Sequence, residues 1–114
     1  MNKVKDLQFY KELMLHKLTV EIHKTDEGFW AKVKELSHCY TQANDFSGLI
    51  EMVNDAIYTY LEIPDKFRKE VGFYLPKEIC NELRKREWER MFRELSVKNN
   101  LREGKATLQM CLNT

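Results

Sequence analysis

Acidic side chains are the first candidates for chemistry in this chain, because clustered carboxylates hold the divalent metal ions that many nucleases use. One lies in a predicted turn, and others lie at the start, in the body and after the end of a predicted helix. The rest lie on predicted strands. The acids concerned are Asp26, Asp45, Asp55, Asp65, Glu21 and Glu70. Side chains distributed in this way cannot form a two-metal site. We therefore expect no metal-dependent nuclease activity.

Histidine and cysteine provide the other candidates for catalysis. His16, His23 and His38 could each act as a general base, but no serine or cysteine lies in a nucleophile-type turn nearby. Cys39 follows His38 directly, and neighbouring strand residues point to opposite faces. The glycines are scattered and form no phosphate-binding loop. We expect no catalytic residue, no metal site and no cofactor, so the protein is predicted not to be an enzyme.

A basic cluster in the C-terminal part could contact nucleic-acid phosphates. Its members are Arg84, Lys85, Arg90 and Arg93. Interleaved glutamates offset most of this charge, and pairs such as Glu82 and Arg86 have the i,i+4 spacing of helical ion pairs. A solvated helix face is the favoured interpretation, and nucleic-acid contact is the alternative.

The overall composition excludes several classes of protein. A length of 114 residues suits one domain, and a formal net charge of +1 produces no strong field towards nucleic acid or membrane. Met1 to Lys11 is too charged for a signal peptide, and no apolar run approaches the roughly 20 residues of a membrane span. The three cysteines form no CxxC pair. We therefore expect reduced thiols and a cytoplasmic location.

Alternating apolar and polar residues predict a β-hairpin. Leu18 to His23 alternate in this way, Thr25 to Gly28 suit a tight turn, and Phe29 to Lys34 alternate again. Trp30 falls on the face opposite Phe29, where it is either an exposed interface anchor or is covered by a second layer such as the C-terminal helix.

A third short strand and an amphipathic helix follow the hairpin. Cys39 to Ala43 form the strand, Asn44 and Asp45 are suitable helix N-caps, and Pro64 ends the helix. Apolar residues recur at the spacing of one helical face. They are Phe46, Leu49, Ile50, Val53, Ala56, Ile57, Tyr60 and Leu61.

These elements predict an α+β fold, in which a small, mainly antiparallel sheet of three to four strands carries a helix on one face. Residues 1–16 are an N-terminal extension, residues 17–76 form a β-β-β-α-β domain, and residues 77–114 form a C-terminal helix and tail. In that last part a helix is predicted from Pro76 to about Ser96. Lys105 to Leu112 could be a last strand or a frayed tail.

Three motifs of the central stretch occur in an order and spacing typical of one family. They are the turn and second strand Asp26 to Ala31 (DEGFWA), the corner Leu36 to Ala43 (LSHCYTQA), and the helix end Ala56 to Leu61 (AIYTYL). Together they resemble the HicB-type antitoxin domain of bacterial toxin–antitoxin pairs, over roughly residues 18–80. Ser37 and His38 replace the Pro-Gly of the family's corner, so this turn is predicted not to need a positive φ.

The resemblance implies a partial ribonuclease-H-like fold and a non-catalytic role in a type II toxin–antitoxin system. The partner would be a small HicA-type toxin that cleaves RNA, whose catalytic surface the antitoxin covers. Trp30 and Tyr40 are candidate partner-binding residues by their expected exposure, and Gln42 by the motif. We also expect a homodimer or higher homo-oligomer, formed through a sheet edge or the C-terminal helix. The alternatives are a stand-alone homo-oligomeric scaffold or regulator, and a DNA-binding autorepressor that uses residues 70–114.

Overall fold

The computed structural model describes residues 5–77, 90 and 105–113, and in these residues it shows an α+β fold. The elements, in chain order, are α1 (Leu7–Leu13), β1 (Leu18–Thr25), β2 (Gly28–Val33), β3 (Tyr40–Ala43), α2 (Phe46–Tyr60), α3 (Asp65–Arg68), β4 (Phe73–Pro76) and β5 (Lys105–Asn113). The strands form one antiparallel sheet in the order β3-β2-β1-β5-β4.

The main departure from the sequence-based expectation is β5. The sheet has five strands rather than three to four, and the added strand lies between β1 and β4. Leu18 of β1 pairs with Met110, and Pro76 of β4 pairs with the same residue from the other side. The segment Lys105 to Asn113 is thus a strand of the sheet, not part of a tail. Pro76 ends a strand instead of opening a helix.

The predicted hairpin is confirmed. Thr25 pairs with Gly28 across a two-residue turn, and Gly28 has a φ of +148°. A Cβ atom at Gly28 would lie 2.4 Å from the carbonyl oxygen of Ala43. Glycine is required there for two reasons, because the backbone is in a region that other residues rarely adopt and because β3 approaches so closely.

The corner between β2 and β3 differs from the expectation. His38 has a φ of 58°, so the prediction that this turn needs no positive φ is wrong. The backbone is held by neighbours on both sides, since the Val33 amide donates to the Cys39 carbonyl at 3.0 Å and the Cys39 amide donates to the Leu36 carbonyl at 3.3 Å. These bonds hold His38 in the left-handed region, which non-glycine residues seldom adopt but histidine adopts more often than most.

Helix α2 begins where its capping residue predicts. The Asp45 carboxylate accepts a hydrogen bond from the Gly48 amide at 2.6 Å, as an N-cap does. The predicted apolar face is buried at most of its positions, but Tyr60 is 46% exposed. Two residues outside that face, Asn54 and Tyr58, are buried. The buried surface of α2 is therefore rotated towards β4, and its opposite flank is left in solvent.

The core lies between α2 and the apolar face of the sheet. That face consists of Leu18, Val20, Ile22, Phe29, Ala31, Val33, Ala106, Leu108 and Met110. Helix α1 adds Tyr10, and its C-cap residue Met14 is also buried. The Tyr74 hydroxyl donates a hydrogen bond to the Met14 carbonyl. Burial, assisted by Tyr58, raises the pKa of Tyr74 to about 12. The phenol therefore stays protonated and keeps α1 attached to β4.

Two further findings concern the cysteines and the length of the helices. Cys39 is a free, buried thiol, whereas Cys111 is disulfide-bonded, so the prediction of reduced cysteines is wrong for Cys111. No helix within the described residues is both long and apolar enough to cross a membrane.

Candidate interaction surface

The side of the sheet that faces away from α2 is apolar at the β4 end, where Phe73, Leu75 and Cys111 lie, and polar and aromatic elsewhere. We call the polar and aromatic part the outer face, and it comprises Thr19, Glu21, His23, Trp30, Lys32, Tyr40, Gln42, Lys105, Thr107 and Gln109. Alternation along each strand places these side chains opposite the core residues. The strand pairing arranges them in rows. One row runs Lys105, His23, Trp30 and Gln42, and the next runs Thr107, Glu21, Lys32 and Tyr40.

The three predicted partner-binding residues come together on this face. Trp30 is directly opposite Gln42, and Tyr40 occupies the neighbouring row. The Trp30 and Tyr40 ring centroids are 6.5 Å apart, with a tilt of 41° between the planes. Tyr40 is 55% exposed, and Trp30 is partly exposed. Trp30 is therefore not a core residue, and the two rings form a continuous aromatic surface.

Two neighbours that the sequence analysis did not select hold this aromatic pair. The His23 ring is stacked on Trp30 at 3.9 Å with an interplanar angle of 1°, and the Lys32 ammonium lies 5.8 Å from the Tyr40 ring centroid. The two-residue turn determines that His23 pairs with Trp30. This contact could therefore have been deduced from the hairpin.

A fixed carboxylate lies in the second row of the outer face. Glu21 accepts from the Lys105 ammonium at 2.9 Å and lies 2.8 Å from His23 Nε2. The hydrogen bond from Lys105, followed by the one from His23, lowers the pKa of Glu21 to about 2. Glu21 is thus ionised at neutral pH and orients the imidazole that supports Trp30. It also places a negative charge among the lysines, which opposes phosphate binding.

An open cleft of about 870 Å³ adjoins the aromatic pair at the hairpin turn. Its charged and polar lining consists of Thr25, Asp26, Glu27, Gln42, Asn44 and Glu51, and its apolar lining includes Phe29, Trp30 and Met52. All of the ionisable side chains in this lining are acidic. The cleft therefore extends the outer face with a surface that favours a basic partner.

The structure describes two of the side chains considered for catalysis, His23 and Cys39, in environments that restrict them. Among the described residues no group of three histidine, cysteine or acidic side chains could hold a metal ion. His23 is engaged with Glu21 and Trp30. Burial raises the pKa of the Cys39 thiol, which disfavours the nucleophilic thiolate.

The candidate nucleic-acid residues lie almost wholly outside the described part of the chain. Most of the predicted C-terminal helix lies outside the described residues, including Arg84, Lys85 and Arg93. Arg90 is described, and it is helical and exposed. The segments on either side are strands of the sheet. Residues 73–76 and 105–113 therefore belong to the same layer as β1 and do not form a separate module.

Comparisons with known proteins assign the chain to no group. No protein-family model, no curated protein and no solved structure matches it. The resemblance to the HicB-type domain therefore stays a hypothesis. The α+β sheet with a helix on one face is broadly compatible with it.

Proposed function

We propose that the protein is a non-catalytic, antitoxin-like binding protein. It binds a small RNA-cleaving toxin of HicA type and covers the catalytic surface of that toxin with its outer face. The observation that carries this proposal is the contact between the exposed Tyr40 and the partly exposed Trp30 beside Gln42, with the His23 ring stacked on Trp30. Tryptophan and tyrosine at the centre of a polar rim are typical of the residues that dominate binding energy at protein interfaces.

The charge of the neighbouring cleft supports the same kind of partner. A protein that binds RNA needs a basic surface for the phosphates. The cleft carries the carboxylates of Asp26, Glu27 and Glu51, which could bind the basic surface of such a partner in place of RNA phosphates. The toxin would lose access to RNA through occupation of its binding site, and no bond would be made or broken.

The test is co-purification with the product of a short neighbouring reading frame, together with rescue of cells that express that product. Trp30→Ala is expected to weaken binding by about 2 kcal/mol, or roughly thirtyfold in Kd, while the far-UV circular dichroism stays unchanged. Leu15→Ala is the matched control, since Leu15 is 69% exposed but lies outside the outer face. If the pair neither binds nor rescues, the antitoxin proposal fails.

The proposal places the protein in the cytoplasm, where an RNA-cleaving toxin acts. The disulfide bond of Cys111 is unusual for that compartment. Fractionation followed by thiol alkylation with and without reductant would test the location and the state of Cys111 together. Recovery of the protein outside the cytoplasm would contradict the proposed location.

A stand-alone homo-oligomeric scaffold or regulator is the second candidate. Strand β3 favours it, because β3 pairs with only one neighbour among the described strands. For the DNA-binding alternative, a mobility shift on the protein's own promoter at low salt is the deciding measurement, because phosphate contacts are strongest there. No shift under those conditions would exclude an autorepressor.

A further inference from the structure

The two edges of the sheet differ, and the β4 edge is closed. Asn54 of α2 accepts from the Tyr74 amide at 2.6 Å and donates to the Tyr74 carbonyl at 2.8 Å. The Tyr58 hydroxyl donates to the Gly72 carbonyl at 2.6 Å, and Pro76 has no amide hydrogen to offer. Side chains of α2 thus occupy the place that a neighbouring strand would take.

The β3 edge is open. The Val33 amide donates to the Cys39 carbonyl, which sets the phase of the ladder between β2 and β3. In an antiparallel pair the bonded residues alternate, so Thr41 bonds to β2 while Tyr40 and Gln42 direct their N–H and C=O groups outwards. Within the described part of the chain, no backbone group of another element bonds to these four groups.

The β3 strand is short, with four residues, but it lacks the side chains that protect exposed edges. Its sequence is Tyr-Thr-Gln-Ala, with no charged residue and no proline. Natural proteins usually place lysine, proline or a bulge on an edge strand to prevent pairing with another chain. An unprotected edge with exposed backbone donors and acceptors is a template for strand addition.

An apolar flank of α2 lies beside this open edge. Met52, Ala56 and Tyr60 are spaced i, i+4 and i+8 along the helix, on the side opposite the residues that contact β4. Since β3 and β4 are the two ends of the sheet, this flank faces the β3 side. Met52 and Tyr60 are 44% and 46% exposed. The described residues include four large apolar side chains that are exposed, namely Met52, Tyr60, Tyr40 and Leu15. All of them except Leu15 lie on this flank or on β3.

We propose that β3 pairs antiparallel with β3 of a second copy of this chain, about a two-fold axis through Thr41. Tyr40 of each copy is then opposite Gln42 of the other, and each such pair exchanges N–H and C=O groups. Thr41 faces its own copy, a cross-strand pair that is favourable in sheets. The two sheets join into one, and the apolar flanks of the two α2 helices come to lie on the same side of the joined sheet.

The distribution of charge favours this occupant and this orientation. The Ala43 end of β3 lies beside Asp26 and Glu27, which share the cleft with it and outnumber Lys24 on the same row, whereas Lys32 and Lys34 outnumber Glu35 at the Tyr40 end. Antiparallel pairing sets the acidic end of one copy beside the basic end of the other. Parallel pairing would bring like charges together. A second copy therefore offers complementary charge as well as complementary hydrogen bonding.

Sedimentation equilibrium of the full chain tests the proposal. At about 100 µM, the wild type is expected to have twice the 13.7 kDa mass of one chain. Gln42→Pro removes an outward N–H but none of the bonds to β2, and proline is tolerated at such edge positions. This variant is expected to dimerise at least about tenfold more weakly. Met52→Lys, on the exposed flank, is expected to act in the same direction, and Leu15→Lys is the matched control.

Hydrogen exchange keeps the test decisive if a variant folds poorly. In the wild type, the amides of Tyr40 and Gln42 should become protected as protein concentration rises, while the amide of Thr41 is protected throughout. A monomeric wild type, equal dimerisation of Gln42→Pro, or concentration-independent exchange at Tyr40 and Gln42 would overturn the proposal. Protection that appears only when a toxin is added would also overturn it, since the occupant would then be the partner. Self-association and toxin binding are separate measurements, so failure of one proposal leaves the other intact.

Discussion

Replacing Asn54 by leucine measures what the closed edge contributes to stability. Asn54 is fully buried in α2 and makes two hydrogen bonds with the backbone of Tyr74, plus one to the Ile50 carbonyl at 2.9 Å. Leucine has the same branched side-chain skeleton but bulkier methyl groups, so it leaves no cavity; the change removes the hydrogen bonds and adds some crowding. The Tyr74 N–H and C=O are left without partners in the interior.

The magnitude follows from those two groups. An unsatisfied buried donor or acceptor costs about 1–3 kcal/mol, and burying a leucine recovers about 1.5–3 kcal/mol relative to exposure. Part of this favourable free energy of burial is lost, because the leucine must fit into a site that is packed around an asparagine. We therefore expect Asn54→Leu to lower the free energy of unfolding by about 2 kcal/mol, out of a total of about 5–15 kcal/mol. The Tm should fall by about 8 °C.

Urea unfolding followed by circular dichroism provides the assay, with Thr59→Leu as the control. Thr59 is exposed on the same helix, so the same leucine there should change stability by no more than about 0.5 kcal/mol. If Asn54→Leu is as stable as the Thr59→Leu control, the side chain does not replace a strand energetically, and the reasoning is refuted.

Three further predictions concern single residues. The pKa of Glu21 is lowered from 4.5 to about 2 in the folded protein, so its contribution to stability is present above pH 4.5 and is lost as pH falls through about 2. The Tm of Glu21→Gln should therefore depend less on pH between about 5 and about 2 than the Tm of the wild type. Equal slopes of Tm against pH would refute this. His38→Gly should raise the free energy of unfolding by about 1 kcal/mol, because it relieves a φ of 58°, and a lower Tm would show that the imidazole makes compensating contacts. Gly28→Ala should cost at least about 2 kcal/mol, since its Cβ would lie 2.4 Å from the Ala43 carbonyl oxygen at a φ of +148°, and an unchanged Tm would contradict the close approach of β3.

The local elements were predictable because their determinants are near one another in the sequence. Alternation from Leu18 to His23, with Gly28 after a two-residue turn, specifies a hairpin without help from the rest of the chain. Asp45 followed by apolar residues at helical spacing specifies α2. The outer face follows from the same alternation, which by itself assigns Trp30, Tyr40 and Gln42 to the side of the sheet away from the core.

The corner and the last strand show where this reasoning stops. His38 has a positive φ because bonds on both sides of it close the turn, and the modest enrichment of histidine in that conformation is too weak to predict it. The segment from Lys105 to Met110 alternates polar and apolar residues as regularly as β1 does, so its strand character was readable from the sequence. Its place between β1 and β4 was not, because it depends on which distant segments offer unpaired backbone groups.

The sequence by itself determined the hairpin, helix α2 and the polar, aromatic character of one side of the sheet, since each depends on residues within a few positions. Only the tertiary structure decided the order of the strands and the fate of the two edges. Asn54 looks like an ordinary polar residue of a helix until Tyr74, twenty positions away, is brought against it. Hydrogen bonding between distant backbone groups depends on which segments meet, and that is a property of the folded chain as a whole.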